Sequence, residues 1–200
     1  GFGSFDVLEA QDEDFLSRQD IVALADLDGD KTRPTADRVR ENLFNILAAG
    51  SYGEKVNDAH VLDLFSGTGA LGLEALSRGA RTACFVEKDH NALSVLRANI
   101  ARLKRQDSCM VVSGNALSLT GIRGDKASLV FADAPYDTGD GLLAVAHMLT
   151  ISALTPDALI VIETAKAEKL DVDVMQAHHL ACHESRAYGK AALHFLSIAS

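Results

Sequence analysis

Acids stand at or near the ends of three apolar runs in this chain. Asp63 lies within Val61-Leu-Asp-Leu-Phe-Ser-Gly-Thr-Gly-Ala-Leu-Gly72, four residues ahead of Gly67, which with Gly69 and Gly72 spells G-x-G-x-x-G. Glu87 closes the run Ala83-Cys-Phe-Val86 and follows Gly67 by 20 positions. Glycines at such a turn let the backbone bend sharply and approach a ligand with no Cβ in the way. A carboxylate just ahead of that turn cannot welcome a pyrophosphate, but it accepts from an ammonium group. An acid about 20 residues further on suits the two hydroxyls of a ribose. A ligand with an ammonium, a ribose and no phosphate points to S-adenosylmethionine.

The third acid, Asp133, ends Leu129-Val-Phe-Ala132 and leads into Ala134-Pro135-Tyr136. Pro135 fixes its own φ and pushes Ala134 toward an extended conformation. The Ala134 carbonyl and the Asp133 carboxylate can then face one small donor. An exocyclic amine of a nucleobase fits, because it offers two N–H groups and a flat ring on which Tyr136 can stack. Holding those protons turns the amine lone pair toward a methyl donor, so transfer becomes a matter of alignment and electrostatics.

These groups need a scaffold that brings strand ends together. Apolar runs near 60–65, 82–87, 109–112, 128–133 and 158–163 alternate with helical patterns near 70–78, 90–104, 115–119 and 139–150, after a first helix at 36–48. Alternation of this kind predicts a doubly wound α/β domain, with a mostly parallel sheet covered on both faces. His178 to Ala199 lacks helical periodicity and reads as a hairpin around Gly189 that closes one sheet edge. Ligands of such sheets bind at the carboxyl ends of the strands, so Asp63, Glu87 and Asp133 are expected to share a crevice. In the first helix, Val39, Leu43, Ile46 and Leu47 make one apolar stripe behind the starting residues Pro34 and Thr35. Arg33, Arg38 and Arg40 crowd its beginning, where the helix dipole disfavours cations. They call for an anion, either Asp37 and Glu41 or a phosphate or carboxylate ligand.

With 200 residues and 48% hydrophobic content, the chain has enough for one ordinary domain with a core. The net charge of −9 at first argues against a nucleic-acid partner. Residues 1–30, however, hold nine acids and only Arg18 as a base, so the other 170 residues are close to neutral at −1. Residues 1–31 are therefore expected to be an acidic appendage to a domain over 32–200. No apolar run approaches the roughly 20 residues of a membrane span, and no signal-peptide pattern opens the chain. Cys84, Cys109 and Cys182 lie in apolar stretches without metal-ligand spacing and read as small buried hydrophobes in a reducing compartment. His178, His179, His183 and His194 have spacings that fit no helical ligand pair and no accompanying acids, and no metal is expected. Asp171 and Asp173 read as a solvated loop, and the basic patch Arg97, Arg102, Lys104 and Arg105 as charges complementing a helix end.

The arrangement resembles the class I S-adenosylmethionine-dependent methyltransferases, and Asp133-Ala-Pro-Tyr136 is similar to the [DN]-P-P-[YF] signature of amino-group methylases. Arg33-Pro-Thr-Ala-Asp-Arg-Val-Arg-Glu41, together with the glycine turn and Phe85-Val-Glu-Lys88, resembles one family in particular, the bacterial 16S ribosomal RNA guanine-N2 methyltransferases. The resemblance implies a Rossmann-like fold with a seven-stranded, mostly parallel sheet and a C-terminal antiparallel hairpin. It implies that Asp63, Gly67 and Gly69 border the methionine part of S-adenosylmethionine, that Glu87 holds the ribose and that Asn115 meets the adenine, with Phe65, Lys88 and Ala116 also binding the cofactor. Asp133, Ala134, Pro135 and Tyr136 would hold the guanine amine, while Arg33, Thr35, Arg38 and Arg40 line the entrance for RNA. The implied partner is ribosomal RNA or a small-subunit assembly intermediate, met in the cytoplasm by a monomer without metal.

Two features depart from that family's pattern. Ala134 replaces the first proline of the signature, which keeps the carbonyl but gives up rigidity, so slower methylation is expected. An acidic leader stands where a basic one would help to grip RNA, and carboxylates repel phosphates. The competing readings are methylation of another RNA or DNA amine or of a protein glutamine, a non-catalytic relative that binds donor or RNA, and a dinucleotide-dependent oxidoreductase.

Overall fold

A computed structural model describes residues 34–49, 52 and 55–199. The expected acidic appendage 1–31 and Arg33 lie outside the described residues, as do the side chains of Pro34 and Thr35. In chain order the elements are α1 (Pro34–Ala48), β1 (His60–Leu64), α2 (Ala70–Ser77), β2 (Thr82–Glu87), α3 (His90–Arg102), β3 (Cys109–Ser113), β4 (Ala127–Asp133), α4 (Asp140–Thr150), β5 (Leu154–Ala165), α5 (Val172–Ala177), β6 (Leu180–Tyr188) and β7 (Ala191–Ile198). The seven strands form one sheet in the order β3-β2-β1-β4-β5-β7-β6. β1 to β5 run parallel, while β7 pairs antiparallel with both β5 and β6. The sheet is the Rossmann-like one expected, hairpin included.

The central strands are continuous apolar runs because they are buried on both faces. Val61, Ala83, Phe85, Leu129, Phe131, Leu159 and Val161 pack with Val39, Leu43, Phe44 and Leu47 of α1, Leu73 of α2 and Leu96 of α3. Their neighbours Leu62, Leu64, Val130, Ala132, Ile160 and Ile162 pack with Leu142, Val145 and Met148 of α4. The chain grows outward from β1 through β2 to β3, then crosses back to β4 on the other side. Helices leaving β1 and β4 therefore diverge, and a crevice opens at the carboxyl ends of these two strands.

Three local expectations fail, the first being burial of the cysteines: Cys182 is exposed on the edge strand β6, and Cys84 and Cys109 are half-buried. Residues 115–119 form turns, because the Asn115 side chain accepts the Leu117 N–H at 3.0 Å and its carbonyl accepts from Ser118. That side chain offers the backbone an alternative to a helix. Asp171 and Asp173 belong to a helix start: Asp171 caps α5, its carboxylate accepting from the N–H groups of Asp173 and Val174. Of the C-terminal histidines, His178 and His179 follow the end of α5, while in the hairpin His194 bonds to Thr164 and Ser185, and His183 to Ser197. Among the described residues no group of three or more His, Cys, Asp or Glu side chains converges as a metal would require, and no helix is long and apolar enough to cross a membrane.

Candidate active site

Strand parity places the acids. Asp63 on β1 is opposite Phe85 on β2 and Phe131 on β4. Glu87 lies two residues beyond Phe85 and Asp133 two beyond Phe131, so all three carboxylates leave the sheet on the face covered by α1, α2 and α3. Asp133 is itself opposite Glu163 on β5. A row of four acids thus crosses the carboxyl edge of the sheet on one face. Their charges register on one another: Asp133 and Glu87 both raise the Asp63 carboxyl.

The glycine turn hangs on two of these acids. Asp63 is 1% exposed and accepts the Gly72 N–H at 2.9 Å, which ties the first turn of α2 to β1. Desolvation is the main reason its carboxyl is pushed well above the usual carboxylate range, and the Gly72 bond pulls the other way. Glu87 accepts the Gly67 N–H at 2.9 Å through one oxygen and the N–H groups of Lys88 and Asp89 at 2.8 Å through the other. An ionised carboxylate has about four acceptor sites, so Glu87 retains capacity for a hydroxyl.

The glycines are needed for two different reasons. Gly67 and Gly69 take φ values of +53° and +83°, in the left-handed region. Gly72 has no such φ, but a Cβ there would stand 2.4 Å from the Phe85 ring and 3.1 Å from the Asp63 carboxylate. Phe65 also takes a positive φ, +59°, as the chain turns out of β1. It lines a cleft with Val86, Glu87, Lys88, Gly114, Asn115 and Ala116. Phe65, Glu87, Lys88, Asn115 and Ala116, singled out from the sequence, are therefore brought together.

At the other end of the row, Asp133 is exposed at the carboxyl end of β4. Desolvation there, and then the neighbouring Glu163 carboxylate, push its carboxyl up to about 7. Among the described residues no hydrogen-bond donor meets it. Ala134 is buried, while Tyr136 is 43% exposed and donates its hydroxyl to Glu163 at 2.6 Å. The loop that follows is latched from the far side of β5. Glu168 accepts the N–H groups of Asp137 at 2.8 Å and Gly139 at 3.1 Å, and Thr138 donates to the Pro135 carbonyl at 2.8 Å.

The described arginines of α1 divide. Arg38 is exposed. Arg40 is only 16% exposed, contacts Asp37 at 2.9 Å and lies 3.8 Å from Glu74 of α2, whose carboxylate also holds Arg78 at 2.6 Å. The Arg78 guanidinium stacks over the Phe44 ring at 4.8 Å. This network joins α1 to α2 and occupies Arg40 within the fold. Sequence reasoning did not single out Glu163 or Glu168. Glu163 carries the signal used for Asp133, an acid directly after an apolar run, here Leu159-Ile-Val-Ile162; Glu168 sits in a polar loop that gives no such signal.

A parallel sheet with a glycine turn after its first strand, acids on its carboxyl edge and an antiparallel hairpin at its end is the Rossmann-like methyltransferase fold. A solved Escherichia coli protein described as a candidate methyltransferase superposes with a TM-score of 0.67 at 33% identity, covering 84% of this chain and 88% of that one. Residues 21–197 match the model of the family described as "Conserved hypothetical protein 95", and the chain belongs to this family. Ribosomal RNA small subunit methyltransferase D of Escherichia coli is 46% identical over 107 residues, 54% of this chain and 51% of that protein. The Haemophilus influenzae protein of the same name is 33% identical over 147 residues, 72% of this chain and 74% of that one. The chain thus spans about half the length of the first of these relatives.

Proposed function

We propose that this chain transfers a methyl group from S-adenosylmethionine to the N2 amine of a guanine in small-subunit ribosomal RNA. The observation that carries the reading is the row of acids on one face of the carboxyl edge, with the glycine turn at one end and Asp133-Ala-Pro-Tyr136 at the other. The names of the relatives in Escherichia coli and Haemophilus influenzae supply the substrate class.

The residues fit the donor. The backbone at Gly67 faces open space where a Cβ would stand, and among the described residues the buried hydroxyl of Ser66 in the same turn meets no partner. Bound S-adenosylmethionine supplies an electrophilic methyl group on a sulfonium. Glu87 would accept from the ribose hydroxyls, and the cleft between Phe65 and Asn115–Ala116 would take the adenine. Asp63 stands behind the turn and acts by charge, which a low-dielectric surround carries to an ammonium group better than water would. Asp133 and the Ala134 carbonyl would accept the two N–H groups of the guanine amine, and Tyr136 would flank the ring. Such a base has to leave its stack to enter, so the acceptor is an unpaired or flipped guanine. Arg38, with Arg33 and Thr35 ahead of it, would meet the phosphates.

Labelled-methyl transfer to unmodified small ribosomal subunits and to naked ribosomal RNA tests the reading. The wild type should label guanine N2, and Asp133→Ala should not, while thermal stabilisation by S-adenosylhomocysteine persists. Donor at 100 times its Kd stabilises a protein by about 2.7 kcal/mol. Stabilisation by NAD and not by S-adenosylmethionine would end the proposal.

A further inference from the structure

Glu163 is the residue directly across from Asp133 on the neighbouring strand. Two carboxylates side by side at a strand edge repel each other, and both are partly withdrawn from water. Each is held above the usual carboxylate range, chiefly by desolvation, and the Glu163 charge adds to the effect on Asp133. Such a pair is costly unless something arrives to donate to it. Within the described structure only one donor does: the Tyr136 hydroxyl bonds to Oε1 of Glu163 at 2.6 Å. That bond orients the carboxylate and leaves Oε2 for a ligand.

Resting on the reading above, we propose that Glu163 selects the base, its carboxylate accepting the N1–H of guanine while Asp133 and the Ala134 carbonyl accept the adjacent N2 amine. Guanine presents a ring N–H beside its exocyclic amine, both pointing from one edge. Adenine and cytosine present an amine beside an unprotonated ring nitrogen, which would face the Glu163 oxygen lone pair to lone pair. An acid beside the amine site thus favours guanine and opposes the other two amine-bearing bases. Tyr136 serves twice, as a ring wall and as the group that holds Glu163 in register.

The test replaces the target guanine in reassembled small-subunit particles with 2-aminopurine, which keeps the 2-amine but has no proton on N1. Wild-type kcat/KM should favour guanine by about 10- to 100-fold, the range for one good base-edge contact. Glu163→Gln keeps the shape and the Tyr136 bond, and its amide can turn to accept from N1–H or donate to bare N1. The preference should then fall to within about threefold of unity. The change in ratio between the two proteins isolates N1, because loss of the 6-oxygen affects both alike. An unchanged ratio in Glu163→Gln, even with both rates lowered, would show that Glu163 only supports the loop and overturns the proposal. So would a wild type that uses both bases equally. A wild type that binds S-adenosylmethionine but methylates no guanine would instead sink the acceptor assignment itself, and this inference with it.

Discussion

Asp63 and Asp133 are both held above the ordinary carboxylate range, so the protein answers to pH at single residues. A carboxyl raised in the folded state favours its protonated form there. The resulting stability is fully present below the unfolded pKa and is lost as pH rises through the folded value. Asp63→Asn keeps an acceptor for the Gly72 N–H and removes the buried charge. Its Tm should therefore fall less than that of the wild type between about pH 5 and 8, and it should bind S-adenosylmethionine more weakly. Melting curves with and without donor at both pH values check this. Protonation of Asp133, whose titration desolvation moves up to about 7, turns one of its oxygens into a donor that opposes the amine N–H groups. Methyl transfer should fall as pH drops through neutrality. Asp133→Asn, whose carbonyl accepts at any pH, should retain activity and flatten that profile.

At the scale of elements, two junctions keep the crevice open. The turn from β1 into α2 depends on the approach of Gly72 to Phe85, which is fully buried. Gly72→Ala would push its methyl group into that ring and should cost about 1–3 kcal/mol, as overpacking of a filled core does. Denaturant unfolding measures the cost, and donor affinity should fall with it. The loop after β4 depends on Glu168, whose two oxygens hold two backbone N–H groups. This latch supplies from outside the rigidity that a proline at position 134 would build into the signature. Glu168→Ala should lower kcat/KM for the RNA acceptor about 10-fold with donor affinity unchanged, since only the alignment of the amine is loosened. Glu168→Gln, which keeps one acceptor, should fall between the two.

Over the whole molecule, charge is distributed so that most of the −9 lies in the first 30 residues, which contribute −8. Phosphate contacts dominate nucleic-acid affinity, and counterion release makes that affinity sensitive to salt. Removing residues 1–30 should tighten RNA binding at about 0.05 M salt and change little near 0.5 M, where charges more than a few ångströms apart are screened. Filter binding across a salt series checks both limits. Equal affinities at low salt would show that this segment stays clear of the RNA path.

The sequence by itself determined the strands, most of the helices and three of the four acids. Each is written in local terms: a run apolar on both faces, a glycine where a Cβ cannot go, a carboxylate where the run stops. The hairpin at the end was legible for the same reason. Only the tertiary structure decided which strand-end acids are neighbours. Asp133 and Glu163 are 30 residues apart in the chain and meet because β5 pairs with β4, a register that no local pattern encodes. Long-range pairing likewise drew Arg40 to Glu74 and set Glu168 beneath the signature loop. Where local and distant forces competed, as at Asn115, a single side-chain hydrogen bond overrode helical spacing. Periodicity records which face of an element is buried; it does not record what that face is buried against.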